Sequence, residues 1–244
     1  EWYFNIIAEL SRHAVLTTPY TGRDHWPNLY CGTFVLMLVV MYLLNRQISW
    51  KKKLAYLAVV ALFVVSFTNN MLDFIWHGLH FPDSLPGRQS FLYVFVLLIL
   101  SYEAVLKLAG NKMWHIAVAS GVDALFLLAG YYFSAEEMRS TDAYVTTAVL
   151  LAGYALVLIF YFSGKEKMRR VMACAGCALM VVELAVNFDV TGLGTVSRTA
   201  YTKDWEDYEN VLEQADALAE AEGVLFYRTE ELERKTKNDA ALYG

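Results

Sequence analysis

The sequence predicts an all-α integral membrane protein with about six transmembrane helices. Hydrophobic residues make up 57% of the 244-residue chain and charged residues only 18%, which is too much apolar surface for one soluble core. Six apolar runs approach the roughly 20 residues needed to cross about 30 Å of hydrocarbon. None of these runs contains any of the four prolines, and runs such as 54–67 and 144–162 are apolar all round. A soluble helix would instead show a polar face.

The apolar runs divide the chain into three parts. Residues 1–28 are interpreted as an extracytoplasmic segment, residues 29–187 as the transmembrane bundle and residues 188–244 as a soluble extracytoplasmic segment. The predicted spans cover residues 29–45, 54–70, 91–108, 115–134, 143–163 and 170–187. Because the chain begins without an initiator Met or a signal peptide, we expect it to be a piece of a longer polypeptide.

Basic residues in the short loops predict the orientation of the bundle. Ten Lys and Arg residues follow the first, third and fifth spans, whereas four lie on the opposite side before the soluble segment. This bias alternates correctly through all the predicted spans. We therefore place the Lys-rich loops in the cytoplasm and residues 1–28, 71–90 and 188–244 on the extracytoplasmic side.

The soluble segment after the last span combines an acidic helix with a short strand. Residues 204–222 carry eight carboxylates, which are the main source of the formal charge of −5. Apolar residues recur at helical spacing in the same run and predict one packing stripe. Residues 224–228 then predict a short strand, so we expect the start of a small α/β segment. The acidic surface argues against nucleic-acid binding.

The connection between the second and third spans, residues 71–90, is named here the Trp-His loop. It concentrates Trp76, His77, His80, Arg88, two carboxylates and two prolines. Such a loop can stack on a sugar, pair with a phosphate and exchange protons. The alternative interpretation is an interfacial anchor, in which Trp and His lie at headgroup level and the prolines stiffen a turn.

The His77-x-x-His80 spacing also raises the possibility of a metal site. Asp73 and Asp83 are candidate additional ligands, but two His residues without a placed third ligand are weak evidence. We therefore assign no metal. Substrate contact or proton transfer by one of the two His residues is favoured, and a purely structural role is the competing interpretation.

Three carboxylates fall within the predicted spans, where each costs roughly 2.5–3.5 kcal/mol at the bilayer centre. Glu103 has an ion-pair partner, Lys107, four residues later. Asp123 has no local cation, so it must face another helix or a wet cavity, in either a structural or a functional role. Glu183 precedes Asn187 by one turn in the outer third of the sixth span. Both are predicted to face a cavity open to the outside.

The Trp-His loop resembles a loop of a known family. The stretch from Asp73 to Phe91 is similar to the extracytoplasmic loop of the bacterial YfhO family of multi-pass membrane proteins, which follows roughly the pattern NFIWHGFHxPNxLPYRxSF. Asp73 and Asp83 stand where that pattern usually has Asn, Leu79 replaces Phe, and Gly87 replaces an aromatic residue. Residues 27–32, the Glu183 and Asn187 pair, and residues 226–239 match the family more weakly.

The resemblance implies a fold and an activity. The YfhO family is similar to the GT-C class of integral membrane glycosyltransferases, so the chain would form a partial GT-C-like bundle in a bacterial cell membrane. Its members are implicated in moving a sugar from a polyprenyl-phosphate carrier to lipoteichoic acid or a related surface polymer. The implied partners are membrane lipid, the lipid-linked sugar donor, the glycopolymer acceptor and a partner synthase. No further cofactor is implied.

Sugar transfer of this kind needs a base for the acceptor hydroxyl and a cation for the leaving phosphate. The candidate bases are Asp73, His77 and His80. The candidate substrate-binding residues are Trp76 as a platform for the sugar, Arg88 as the cation, Glu183 and Asn187. We expect the Trp-His loop to fold over the outer mouth of a cavity between the spans, with the side chains of His77, His80 and Arg88 converging on it.

Two other functions stay open. GT-C enzymes generally carry a principal catalytic acid in the first external loop, which is expected upstream of Glu1, so this chain alone is expected to be inactive. A transporter or flippase of lipid-linked sugars would instead use Asp123 and Glu183 as relays within the membrane. A non-catalytic scaffold would use its external segment to position a partner synthase.

Overall fold

The computed structural model describes residues 29–80, 87–134, 139–192, 199, 202–203 and 205–224. The chain divides into two compact units, residues 1–193 and residues 194–244. The helices of the first unit are α1 (Thr33–Leu44), α2 (Trp50–Thr68), α3 (Asn70–Trp76), α4 (Ser90–Leu106), α5 (Met113–Phe133), α6 (Thr141–Ser163) and α7 (Glu166–Gly192). The second unit contains α8 (Trp205–Ala221).

All described secondary structure is helical, so the all-α prediction is confirmed for these residues. Each of the six predicted spans contains a helix, but three helices, α5, α6 and α7, are individually long and apolar enough to cross a membrane. The bent pair of α2 and α3 raises the number to four, whereas α1 and α4 are shorter apolar helices. Three or four helices among the described residues thus meet the length and composition needed for a span, and the expected number of about six spans stays a prediction. The strand predicted at 224–228 lies almost wholly outside the described residues.

Helix α1 begins later than its apolar run predicts. Gly32 has φ +108°, which a right-handed helix cannot accommodate, so the helix starts at Thr33 rather than near Leu29. The Asn45 side chain donates to the Lys107 carbonyl (2.7 Å), which aligns the C-terminal ends of α1 and α4. With 12 residues against 17, α1 is about 18 Å long and α4 about 25 Å. The N-terminus of α1 is thus several ångströms deeper in the bundle.

Helices α2 and α3 are separated by a sharp break. The angle between them is 106°. The Asn69 side chain accepts hydrogen bonds from the backbone N–H groups of Met71 (2.9 Å) and Leu72 (3.2 Å), so it caps a new helix instead of extending the old one. The first part of the Trp-His loop is therefore a short helix that turns away from the preceding span.

The core of the first unit forms around α1, which packs against α4, α5 and α6, while α7 packs against α6. Tyr42, Met37 and Tyr154 are fully buried there. Large apolar side chains on the outer faces are exposed instead, among them Leu54 (58%), Phe95 (59%) and Val149 (66%). Exposing this much apolar surface to water would be unfavourable, whereas lipid chains can cover the same surface.

The predicted acidic helix of the soluble segment is confirmed as α8. Its predicted packing stripe is not buried among the described residues, because Val211 (64%) and Leu218 (65%) are mostly exposed. Each turn of α8 therefore presents both carboxylates and apolar side chains at its surface.

The predicted orientation can be tested by labelling single cysteines. In a variant with Cys31, Cys174 and Cys177 replaced by Ala, a cysteine at the exposed His80 position should react with a membrane-impermeant thiol reagent in intact cells. A cysteine at the exposed Ser49 position should react only after the cells are lysed. Labelling at Ser49 alone would invert the topology and place the Trp-His loop in the cytoplasm.

Candidate functional site

Trp76 attaches α3 to the end of α2. Its indole N–H donates to Ser66 Oγ (3.1 Å), and its ring stacks on Phe63 with the centroids 5.5 Å apart. Phe63 in turn contacts the ring of Tyr93 on α4. Trp76 is still 40% exposed. It therefore has a structural role on one side, which is compatible with the predicted sugar platform on its exposed surface.

Asp73 connects the start of the Trp-His loop to its end through a hydrogen bond. Its carboxylate accepts the backbone N–H of Gly87 (3.1 Å), 14 residues later, and the residue is only 9% exposed. Gly87 has φ +73°, a conformation that glycine adopts without strain. This bond brings the backbone next to Arg88 alongside α3. Residues 81–86, including Asp83, lie outside the described residues.

His77 ends α3 with its imidazole turned back toward Asp73. Its Nδ1 lies 2.9 Å from the Asp73 carbonyl oxygen and 3.4 Å from the Asp73 carboxylate oxygen Oδ1. A carbonyl can only accept, so Nδ1 carries the proton and the neutral ring has its lone pair on Nε2. The side chain is 7% exposed, and Nε2 has no hydrogen-bond partner among the described residues. The pair thus presents a buried, oriented imidazole with a free basic nitrogen.

His80 and Arg88 have different surroundings from His77. Two consecutive left-handed residues, Gly78 (φ 71°) and Leu79 (φ 65°), end the helix and direct the chain outward. His80 is exposed and its Nδ1 donates to the His77 carbonyl (3.2 Å). Arg88 is also exposed. Within the described ranges, no three His, Cys, Asp or Glu side chains come together as a metal-binding group.

Glu183 is the most extensively hydrogen-bonded carboxylate in the described bundle. It accepts the Tyr30 hydroxyl, the Thr33 backbone N–H (2.7 Å) and the Tyr154 hydroxyl (2.6 Å), and it is 5% exposed. Thr33 is the first residue of α1, so Glu183 caps this helix from α7. Tyr154 is near the middle of α6. The partners of this carboxylate thus come from the start of α1 and from the middle of α6, and its predicted place in the outer third of the sixth span stays a prediction.

A groove of about 430 Å³ lies between α1, α4 and α7. Apolar side chains such as Val35, Leu98 and Leu184 form most of its lining, and Glu183 and Asn187 contribute polar atoms. The structure thus brings the two predicted residues of α7 to one cavity. On α4 the groove starts about 12 Å along the helix from Ser90, where the Trp-His loop ends.

The predicted convergence of His77, His80 and Arg88 on one cavity is not seen in the described part of the chain. None of the three lines the groove. The reason is local: the left-handed turn separates His80 from His77, and the Asp73 bond to Gly87 holds the start of α4 beside α3. The described residues form two separate features, the Asp73 and His77 pair near the outer end of α4 and the Glu183 groove deeper in the bundle.

Asp123 is the second buried carboxylate of the spans. It is 3% exposed, so the prediction that it faces protein and not lipid is confirmed, as it is for Glu183. Neither of its oxygens has a hydrogen-bond partner in the described structure. Burial without a donor is costly for a polar group, so Asp123 is a candidate for a functional as well as a structural role.

The sequence did not single out Tyr30, Thr33 and Tyr154, the three partners of Glu183. The available signal was the carboxylate itself, because an acid inside a span must find donors. Its partners could not be identified from spacing, since two of them are about 150 residues away in the chain.

Comparison with known proteins gives one match. The family model described as bacterial membrane protein YfhO matches residues 2–244, which is nearly the whole chain. No curated protein and no solved structure matches it.

Proposed function

The chain belongs to the YfhO family of bacterial membrane proteins, and from this membership we propose that it forms part of a membrane glycosyltransferase. The enzyme moves a sugar from a polyprenyl-phosphate carrier to a surface polymer, such as lipoteichoic acid, on the outer face of the membrane. The observation that carries this proposal is the Asp73 and His77 pair, whose buried imidazole has one nitrogen held by Asp73 and the other without a partner among the described residues.

The pair has the geometry of a general base. When the acceptor hydroxyl attacks the anomeric carbon of the sugar, its proton passes to His77 Nε2. The bond between that carbon and the phosphate oxygen breaks, and polyprenyl phosphate leaves with the bonding electrons. The backbone carbonyl of Asp73 accepts the hydrogen bond from Nδ1 and fixes the ring, and the Asp73 carboxylate, with Oδ1 3.4 Å from Nδ1, stabilises by its charge the imidazolium that forms.

The structure separates the three candidate bases by their surroundings. Asp73 has its Oδ1 engaged by Gly87 and its carbonyl by His77, so its role is positioning. His80 is exposed, and its ring is held only through Nδ1. His77 combines a buried ring with an Nε2 that has no partner in the described part of the loop, and we therefore assign the base to His77.

The hydrocarbon chain of the donor and its sugar phosphate suit two different parts of the protein. The groove beside Glu183 is mostly apolar and lies within the bundle, which suits a hydrocarbon chain. The Trp-His loop carries the polar and aromatic groups that suit a phosphate and a sugar. Arg88 is the cation closest in sequence to the Asp73 and Gly87 bond, and its guanidinium can bind a phosphate through two parallel hydrogen bonds.

Substitution of Arg88 tests the proposal. Arg88→Ala should reduce sugar incorporation into the surface polymer by about 10- to 100-fold, since a cation at the leaving phosphate stabilises charge that develops in the transition state. Arg88→Lys should restore only part of the activity, because Lys lacks the fork of donors. The measurement, here and in the later activity tests, is transfer from a polyprenyl-phosphate sugar in membrane vesicles that contain the full-length protein, normalised to its abundance. Full activity of a stable, correctly inserted Arg88→Ala variant would make the loop an interfacial anchor.

A transporter of lipid-linked sugars is the second candidate, and the buried Asp123, which has no hydrogen-bond partner in the described structure, favours it. A proton relay needs a buried acid that can gain and lose its proton, which Asp123 would provide. Asp123→Asn should abolish movement of the sugar lipid across the membrane if the protein is a transporter. The glycosyltransferase proposal instead expects Asp123→Asn to leave transfer from an externally supplied donor unchanged.

A further inference from the structure

The membrane face that carries the α1–α2 and α4–α5 connections has an excess of positive charge. Asn45 binds the Lys107 carbonyl, which joins the two connections. They are in direct contact: a Cβ on Gly110 would lie 2.4 Å from Asn45 Oδ1 and 2.7 Å from Gln47. The charge bias of the sequence predicts that this face is cytoplasmic.

Three cations lie on or next to these two touching connections. Arg46 directly follows Asn45, and Lys112 lies two residues after Gly110, which contacts Asn45 and Gln47. Lys53 donates one of its hydrogens to the Asn45 carbonyl (2.6 Å), and Arg46 and Lys112 are exposed. The amide nitrogen of the buried Asn111 beside them has no hydrogen-bond partner among the described residues. We call Arg46, Lys53 and Lys112 the cation cluster.

Nearby carboxylates do not neutralise the cation cluster. Glu103 is bound to Lys52 (2.7 Å) and Lys107 (3.1 Å), and Glu166 is bound to Arg170 (3.0 Å). No described ion pair within 4 Å involves a member of the cluster. Neighbouring positive charges at a membrane surface that have no ion-pair partner among the described residues attract an anion, and the nearest anions at that depth are lipid phosphates.

The helices that start beside the cluster present the matching apolar surface. Trp50 (69% exposed) and Leu54 (58%) lie on the first turns of α2, and Trp114 (50%) and Val118 (38%) lie on those of α5. Exposed Trp at a helix end is typical of the headgroup level, and the apolar residues after it face the acyl chains. A headgroup at the cluster would therefore have its own chains along these helix faces.

We propose that Arg46, Lys53 and Lys112 bind the phosphate of an anionic glycerophospholipid in the cytoplasmic leaflet. The site is independent of the sugar chemistry proposed above, since it lies at the opposite end of the bundle from the Trp-His loop. The bound lipid holds the α1–α2 and α4–α5 connections together. It thereby stabilises the packing between the C-terminal ends of α1 and α4.

Lipid titration of the purified protein tests this site. Binding of dioleoylphosphatidylglycerol, with dioleoylphosphatidylcholine as competitor, is measured by native mass spectrometry of the protein released from detergent. The preference for phosphatidylglycerol should fall about fivefold for each cation removed in Arg46→Ala and in Arg46→Ala with Lys112→Ala, the effect of one surface cation on an anionic headgroup. Both positions are exposed, and unchanged thermal unfolding in lipid-free detergent confirms that the variants fold.

A matched control removes two charges elsewhere on the same face. Lys165→Ala with Lys167→Ala takes away exposed cations of the α6–α7 connection and should leave the preference unchanged. An equal loss in this control would show general surface attraction and overturn the site. Displacement of phosphatidylglycerol by inorganic phosphate would assign the cluster to free phosphate and overturn the lipid proposal, as would an unchanged preference in the double variant.

Discussion

His77→Ala should abolish sugar transfer, with a loss of about 100- to 10,000-fold, the range that general base catalysis contributes. The expected loss is large because Nε2 of His77 is the buried basic nitrogen of the Trp-His loop that lacks a partner in the described structure. Asp73→Asn should retain part of the activity, since its backbone carbonyl still accepts from Nδ1. The measurement is the turnover of a polyprenyl-phosphate sugar in vesicles with equal amounts of each variant.

His80 provides the matched control for His77. It is also a histidine, lies three residues later, and is exposed rather than buried. His80→Ala should therefore reduce transfer by less than about tenfold. If His77→Ala and His80→Ala were equally active, or if the His80 variant were the more impaired, the assignment of the base to His77 would be wrong.

Glu183→Ala should cause the largest loss of stability of any single substitution in the bundle. The hydroxyls of Tyr30 and Tyr154 and the N–H of Thr33 would all lose their acceptor. Each buried donor left without an acceptor costs about 1–3 kcal/mol, so we expect a loss of about 3 kcal/mol or more. This corresponds to a Tm lower by roughly 6–12 °C for a chain of this size. Thermal unfolding in detergent measures it.

Asp123→Asn is the control for the Glu183 experiment. Asp123 is equally buried but has no hydrogen-bond partner in the described structure, so the substitution removes no contact. Its Tm should stay within a few degrees of the parent or rise. Glu183→Gln should fall between the two, because the amide retains one acceptor oxygen. A Glu183→Ala variant as stable as Asp123→Asn would show that the hydrogen bonds to Glu183 contribute little.

Sequence reasoning located the helices because it depends on local composition. Long apolar runs must be helical inside a bilayer, where no water satisfies the backbone. The breaks were harder to predict, since they come from single residues whose effect depends on conformation. Gly32 could have continued a helix, and Asn69 could have been an ordinary polar residue at its end; their left-handed and capping conformations determine where α1 and α3 begin.

The candidate site was predicted in part for the same reason. Trp76, His77 and Arg88 were predicted from their residue types and from the resemblance to the family loop, and both kinds of information can be read from the sequence alone. Which imidazole is buried depends on the two left-handed residues after His77, and Leu79 is a residue that rarely adopts that conformation. The partners of Glu183 depend on how distant helices pack, which residue types alone do not specify.

The late start of α1 has a consequence for how the protein is made. The first N–H of this helix is satisfied by Glu183, which the ribosome adds 150 residues later. Until α7 enters the membrane, α1 is a 12-residue apolar helix with an unsatisfied end, too short to remain stably inserted by itself. Helix α1 thus reaches its final position only after α7, which is synthesised later, has entered the membrane. A chain interrupted anywhere before Glu183 leaves that helix without its cap, which gives cellular quality control a defect to detect.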